Sequence, residues 1–213
     1  MKKIKWTSIF LLLIMASCHT SRIMNSWKSA KTTAHNYNKI VVLGVIRDAD
    51  RTMQEKMENH LVGDLKAIGY NAISSLQEYG PKAFEKIDEE EAVLKLKNSG
   101  VDAIVTIVLL DKKKERKYIP GNIYYSPYDS YYSRFWGYRT ALFRRIYEPG
   151  YYVTDTKYFW ESNFYDMSTQ QLIYSVQTQT FDPANAEVMG HQYGQIIVKD
   201  MLKNNILQSA VEK

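Results

Sequence analysis

The sequence predicts an α/β (α+β) domain on a single mixed β-sheet, in the order βαβαβββα, with helices packed on the sheet. Three observations carry this. Two apolar, β-branched-rich runs, at 39–46 and 102–110, have the pattern of strands buried on both faces. Between them stand helix-period apolar stripes, each closed by a glycine. Near the C-terminus two alternating segments are joined by a turn, as in an antiparallel hairpin.

In order, Lys39–Ile46 is the first strand. Asp48, Asp50 and Thr52 supply capping oxygens, and Thr52-x-x-Glu55 matches a capping box. Met53, Met57, Leu61, Leu65 and Ile68 form the stripe of the helix that follows, and Gly69 stops it. Tyr70–Leu76 is a weaker strand. Asp88 opens a second helix, with Glu89, Glu90 and Glu91 at its positive end and Gly100 as its stop. Asp102–Leu110 is the second buried strand. Tyr152–Tyr165 alternates Tyr152, Tyr158, Trp160 and Phe164 against Asp155, Lys157, Glu161 and Asn163. Asp166–Thr169 is turn-like, and Leu172, Tyr174 and Val176 face one side of the return strand. Pro183 and Asn185 introduce a last helix bearing Met189, Tyr193, Ile196, Ile197 and Met201. Right-handed crossovers place the early strands parallel, and the hairpin extends them into a mixed sheet.

Ahead of this domain lies a leader. Lys2, Lys3 and Lys5 precede an apolar run from Ile9 to Met15, then Ala16, Ser17 and Cys18, the only cysteine. This looks like a bacterial lipoprotein signal, with residues 1–17 removed and Cys18 carrying palmitate-type acyl chains. The run is shorter than the roughly 20 apolar residues a membrane span needs. Residues 18–38 are polar and read as a flexible lipidated tether with an end-to-end distance of about 25 Å. The domain then covers 39–207, and 208–213 is a tail. Losing the leader lowers the net charge from +5 to +2. With its one thiol acylated, the chain has no disulfide and no cysteine ligand. His19, His35, His60 and His191 show no metal-ligand spacing, and no cofactor is expected.

The stretch most suggestive of function is a long insertion, about 112–151, before the hairpin. Residues 118–158 hold 11 of the 17 tyrosines, and 112–145 carries a local charge of +7, so everything else in the mature chain sums to −5. The candidate binding residues are Tyr124, Tyr125, Tyr128, Tyr131, Tyr132, Arg134, Trp136, Arg139, Arg144 and Arg145. Rings give large contact area at low entropy cost, and guanidinium groups pair with carboxylate or phosphate. A connection this long is generally functional or disordered, so three readings stand open: a recognition surface, rings covering the sheet, or a disordered low-complexity loop.

Cys18 with its leader, the segment Ser99-Gly100-Val101-Asp102-Ala103-Ile104-Val105, and the hairpin from Tyr165-Asp166 to Leu172-Ile173-Tyr174-Ser175 together carry a resemblance. The chain resembles bacterial envelope lipoproteins with a compact α/β domain. Its order of elements is similar to the domain of lipoprotein activators of penicillin-binding proteins and of the curli secretion lipoprotein, over most of 39–207 and as topology. It departs from both in lacking an enzyme-docking signature and in its long tyrosine-rich insertion, so activation and secretion are not carried over.

No catalytic constellation stands out. Asp88-Glu89-Glu90-Glu91 reads as a solvated helix start, and Ser74-Ser75 with His191 make no triad. The expectation is a non-enzymatic binding or assembly component, anchored in the bilayer through Cys18, with an envelope protein or glycan as partner. Nucleic acid is set aside because the leader directs the domain out of the cytoplasm. The alternative is a peptidoglycan- or glycan-binding or glycan-acting protein, which, if an enzyme, needs paired carboxylates facing one cleft. His19 is not the acidic residue that retains lipoproteins in the inner membrane, and no acidic cluster follows Cys18. The expected location is therefore the outer membrane, facing the periplasm.

Overall fold

The computed structural model describes residues 20–30, 35–46, 51–82, 84, 88–119 and 151–209. Its elements are β1 (Ser21–Lys28), β2 (Ile40–Val45), α1 (Thr52–Ala67), β3 (Ala72–Ser74), α2 (Ser75–Tyr79), α3 (Glu89–Asn98), β4 (Ala103–Ile119), β5 (Tyr151–Asp166), β6 (Gln171–Phe181) and α4 (Ala186–Lys203). The strands form one mixed sheet in the order β1-β6-β5-β4-β2-β3. β2 is parallel to both β3 and β4, as crossovers through α1 and α3 require. β1 is antiparallel to β6. The pairs Asp102 with Met167 and Thr106 with Asn163 run in opposite senses, so β4 and β5 are antiparallel too.

Residues split into two compact units, one comprising Met1–Lys112 and Tyr158–Lys213, the other Lys113–Lys157. The core of the first unit lies between one sheet face and the α1–α4 pair. Ile40, Val42, Val105, Ile107, Trp160, Phe164, Tyr174 and Val176 meet Met57, Leu61, Leu65, Met189, Tyr193, Ile197 and Met201 there, all essentially without exposure. The two helices approach closely because α4 presents glycine at i and i+4. A Cβ on Gly190 would lie 2.9 Å from His60 and 3.0 Å from the Lys56 carbonyl oxygen, and one on Gly194 would collide with Asp64. A smaller cluster of Val41, Leu96, Val101 and Met167 lies under α3 on the opposite face.

Three helix ends share one chemistry. At α1, Tyr70 N–H donates to Leu65 O and Gly69 N–H to Lys66 O; at α3, Val101 bonds Leu96 and Gly100 bonds Lys97. At α4, Ile206 bonds Met201 and Asn205 bonds Leu202. These are Schellman closures, with Gly69, Gly100 and Asn205 at positive φ as the left-handed position demands. The predicted stops at Gly69 and Gly100 are therefore correct. Asp88 and Asn185 cap α3 and α4 by accepting from Glu91 N–H and Val188 N–H.

Four expectations need correction. Residues 21–28, assigned to the tether, form edge strand β1, held by main-chain pairing and by Ser21 Oγ to Thr180 Oγ1 at 2.9 Å. Edge strands tolerate polar residues because one flank is open, and a bulge between Ile23 and Asn25 breaks the alternation. The capping box at Thr52 does not operate: Arg51 is the N-cap and contributes no side-chain bond. The strand Tyr70–Leu76 shrinks to Ala72–Ser74, because the Ser74 hydroxyl accepts from Gln77 N–H and starts α2. The two β-branched runs are not covered on both faces throughout. In β4 only alternate residues Ala103, Val105 and Ile107 are fully buried, and Val45 at the end of β2 is half exposed, since α3 shields only part of that face.

Candidate recognition surface

Cys18 and the ten proposed binding residues, Tyr124, Tyr125, Tyr128, Tyr131, Tyr132, Arg134, Trp136, Arg139, Arg144 and Arg145, lie outside the described residues. Both flanks of the insertion are described, and both are strand: β4 runs to Ile119 and β5 begins at Tyr151. Alternation of Lys, Glu, Arg and Tyr there is compatible with a strand whose two faces are solvated.

In the second unit these flanks sort their chemistry by face. The Arg116 guanidinium lies over the Tyr152 ring at 4.6 Å, and Tyr118 tilts against Tyr152 at 5.1 Å. Arg116 and Tyr118 are two residues apart on β4 and so share a face, and their contacts with Tyr152 place that ring beside them. On odd positions Lys157 Nζ pairs with Glu115 at 2.7 Å. Tyr118, Tyr151 and Tyr152 are each more than half exposed. A cation held over an exposed ring joins apolar area to a directed positive charge, and such contacts strengthen when a partner removes water.

In the first unit the even-numbered rings of β5 turn inward, as their alternation predicts. Lys112 Nζ lies 5.2 Å from the Tyr158 ring, Tyr158 stacks on Trp160, and Trp160 meets Tyr193. Trp160 and Phe164 are fully buried. Here, rings are structural cover.

Sequence reading missed two polar clusters. Glu58 is completely buried, yet carries no cation partner among the described contacts. Its Oε1 accepts from Gly44 N–H (2.8 Å), Gln54 Nε2 (2.9 Å) and Ser75 Oγ (3.1 Å), and its Oε2 from Ser74 Oγ (2.5 Å) and Leu76 N–H (3.0 Å). The carboxylate thus ties α1, β2, β3 and α2 together. Glu58 looked like any polar helix residue, and only its i+3 relation to the stripe residue Leu61 hinted at burial. Ser74 and Ser75 are therefore committed to Glu58.

The second cluster lines the α1–α4 seam. His60 Nε2 meets Glu187 at 2.8 Å, Lys56 bonds the same carboxylate at 2.9 Å, and the His60 and His191 rings are 5.6 Å apart edge to face. Hydrogen bonds from Lys56 and His60 hold Glu187 below its ordinary pKa. Half-buried Asp64 behaves oppositely: burial pushes its pKa up, against the pull of His191 and His60, and its Oδ2 has no hydrogen-bond partner. No group of three His, Cys, Asp or Glu among the described residues is arranged to hold a metal ion. In the β5–β6 turn, burial would raise the Asp166 pKa, but bonds from Ser168 and Thr169 outweigh it and hold the group low.

One apolar pocket of about 370 Å³ opens beneath α3, lined by Val41, Leu43, Val93, Leu96, Ile104 and Met167 among others.

No protein-family model matches the chain, and no curated protein does. Among solved structures, the chain is similar to the PelC dodecamer from Paraburkholderia phytofirmans, with 9% identity, a TM-score of 0.45, and coverage of 89% of this chain and 99% of that one. It is also similar to lipoprotein GNA1162 from Neisseria meningitidis, with 11% identity, a TM-score of 0.42, and coverage of 78% and 99%. A minor lipoprotein from Acinetobacter baumannii aligns at 11% identity and a TM-score of 0.32, covering 82% and 98%.

Proposed function

We propose that this chain is a lipid-anchored component of the bacterial envelope that binds or assembles with a partner and performs no chemistry of its own. The observation that carries the reading is the exposed face of the second unit, where Arg116 is held over Tyr152 beside Tyr118. These residues lie on both described flanks of the basic, tyrosine-rich insertion, and they are of the same types, Arg and Tyr, as the recognition residues proposed between 124 and 145. Enrichment in Tyr and Arg is the signature of surfaces whose energy comes from a few desolvated anchors. Cys18 supplies the anchor, and the leader supports an outer-membrane, periplasm-facing location.

The test uses the intact lipoprotein purified from native membranes. Replacing Arg116, Tyr118 and Tyr152 by Ser should lower partner retention several-fold with little change in melting temperature, since exposed positions outside a core shift stability little. Unchanged retention refutes the surface. Running the pull-down against peptidoglycan and against envelope proteins in parallel distinguishes a glycan from a protein partner. Cys18→Ala should leave an uncleaved, unacylated precursor, read by mass spectrometry. Protease shaving of intact cells checks orientation: ready cleavage would oppose the periplasmic side.

A further inference from the structure

We infer that the end of the first unit bearing Thr20, Phe181 and Val188 rests directly on the lipid bilayer, an assignment that presupposes the lipid on Cys18. Very little chain separates that lipid from the fold. Thr20 is fixed on three sides. Its carbonyl accepts from Phe181 N–H at 2.9 Å, and its own N–H and hydroxyl donate to Gln192 Oε1 at 3.3 and 2.6 Å. Only His19 stands between Cys18 and Thr20. Two Cα steps reach at most about 7 Å. That is roughly the thickness of one headgroup layer, given about 30 Å of hydrocarbon inside about 40–45 Å of bilayer. The stand-off of about 25 Å expected from a free tether is lost once residues 21–28 join the sheet.

The same end carries apolar groups. Phe181 is 43% exposed and Val188 36% exposed. Phe181, the last residue of β6, bonds Thr20 through the backbone; Val188 precedes Gln192, which also bonds Thr20, by four residues, so Val188 and Gln192 stand on one face of α4 and Val188 lies one turn nearer the helix start. An anchor that cannot lift away, beside an exposed ring and a branched aliphatic side chain, fits the boundary between headgroups and acyl chains.

The experiment places a single new thiol in the acylated full-length protein, whose Cys18 sulfur is blocked by lipid. Val188→Cys and Ser168→Cys are spin-labelled in phosphatidylethanolamine/phosphatidylglycerol vesicles. Ser168 sits in the β5–β6 turn, about 35 Å along β6 from Phe181 at ~3.4 Å per residue. The unlipidated chain beginning at His19 is the soluble reference. At position 188, vesicles should raise oxygen accessibility and lower access of a water-soluble nickel chelate several-fold, with no change at 168. Equal accessibility at 188 and 168 in acylated protein overturns the surface while leaving the anchor intact. Absence of acyl mass on Cys18 overturns both. Shielding of position 188 already in the soluble reference, with doubled particle mass, gives the face to a second copy and overturns the bilayer assignment.

Discussion

Replacing Glu58 tests whether a buried carboxylate with five donors and no described cation holds the α1–β2–β3–α2 corner together. Glu58→Leu keeps the approximate volume but removes every acceptor. Gln54 retains its bond to the Gly44 carbonyl at 3.0 Å, and the Ser74 and Ser75 hydroxyls can rotate toward other acceptors. The backbone N–H groups of Gly44 and Leu76 cannot move, because β2 pairing and the start of α2 fix them. Each orphaned donor costs about 1–3 kcal/mol, so the variant should lose about 2–6 kcal/mol. That is a large share of the 5–15 kcal/mol typical of a whole domain. Glu58→Gln is milder. Its amide oxygen can serve the Gly44 side, while its NH₂ faces the Leu76 N–H and orphans that one donor, for about 1–3 kcal/mol. Urea unfolding followed by circular dichroism measures both, and each kcal/mol should lower the melting temperature by about 2–4 °C at this chain length. A Leu variant within 1 kcal/mol of wild type, or a Gln variant less stable than Leu, would refute the reasoning.

Three further outcomes follow from the same geometry. Asp64 has a raised folded-state pKa, so its ionisation opposes folding, and its contribution is lost as pH rises from the ordinary carboxylate range through the raised value. Asp64→Asn should therefore stabilise the protein at pH 7 and make little difference near pH 3, as pH-dependent melting would show; equal effects at both pH values would contradict this. Gly190→Ala should press its methyl against the Lys56 carbonyl and the His60 ring, force α1 and α4 apart and cost about 1–3 kcal/mol by denaturant titration, whereas Gly63→Ala, with open space around the added methyl, should not. A chain beginning at Thr20 should fold cooperatively, while one beginning at Lys39 should melt lower and associate, because removing β1 bares the β6 edge; identical melting of the two would assign β1 no stabilising role.

Periodicity and terminator chemistry made most of the fold legible. The stripe Met57, Leu61 and Leu65, the stops at Gly69 and Gly100, the caps Asp88 and Asn185, and the inward row Trp160 and Phe164 are local signals, and each residue stands where its spacing puts it. The candidate recognition residues between Tyr124 and Arg145 were legible as composition alone, and what the fold adds is the face-sorting of Arg116, Tyr118 and Tyr152 on their flanks. Other features have no local signature. Whether polar residues 21–28 lie free or form an edge strand depends on a vacant edge at β6, about 150 residues away in sequence. Glu58 reads as solvated until β2, β3 and α2 close over it with five donors, and Gly190 and Gly194 read as helix weaknesses until α1 fills the space against them. The sequence by itself determined the periods, caps and charge segregation, because these act within a turn or a strand. The tertiary structure alone decided the edge pairing, the buried carboxylate and the helix seam, because each depends on which distant surface arrives to satisfy a backbone donor or fill a gap.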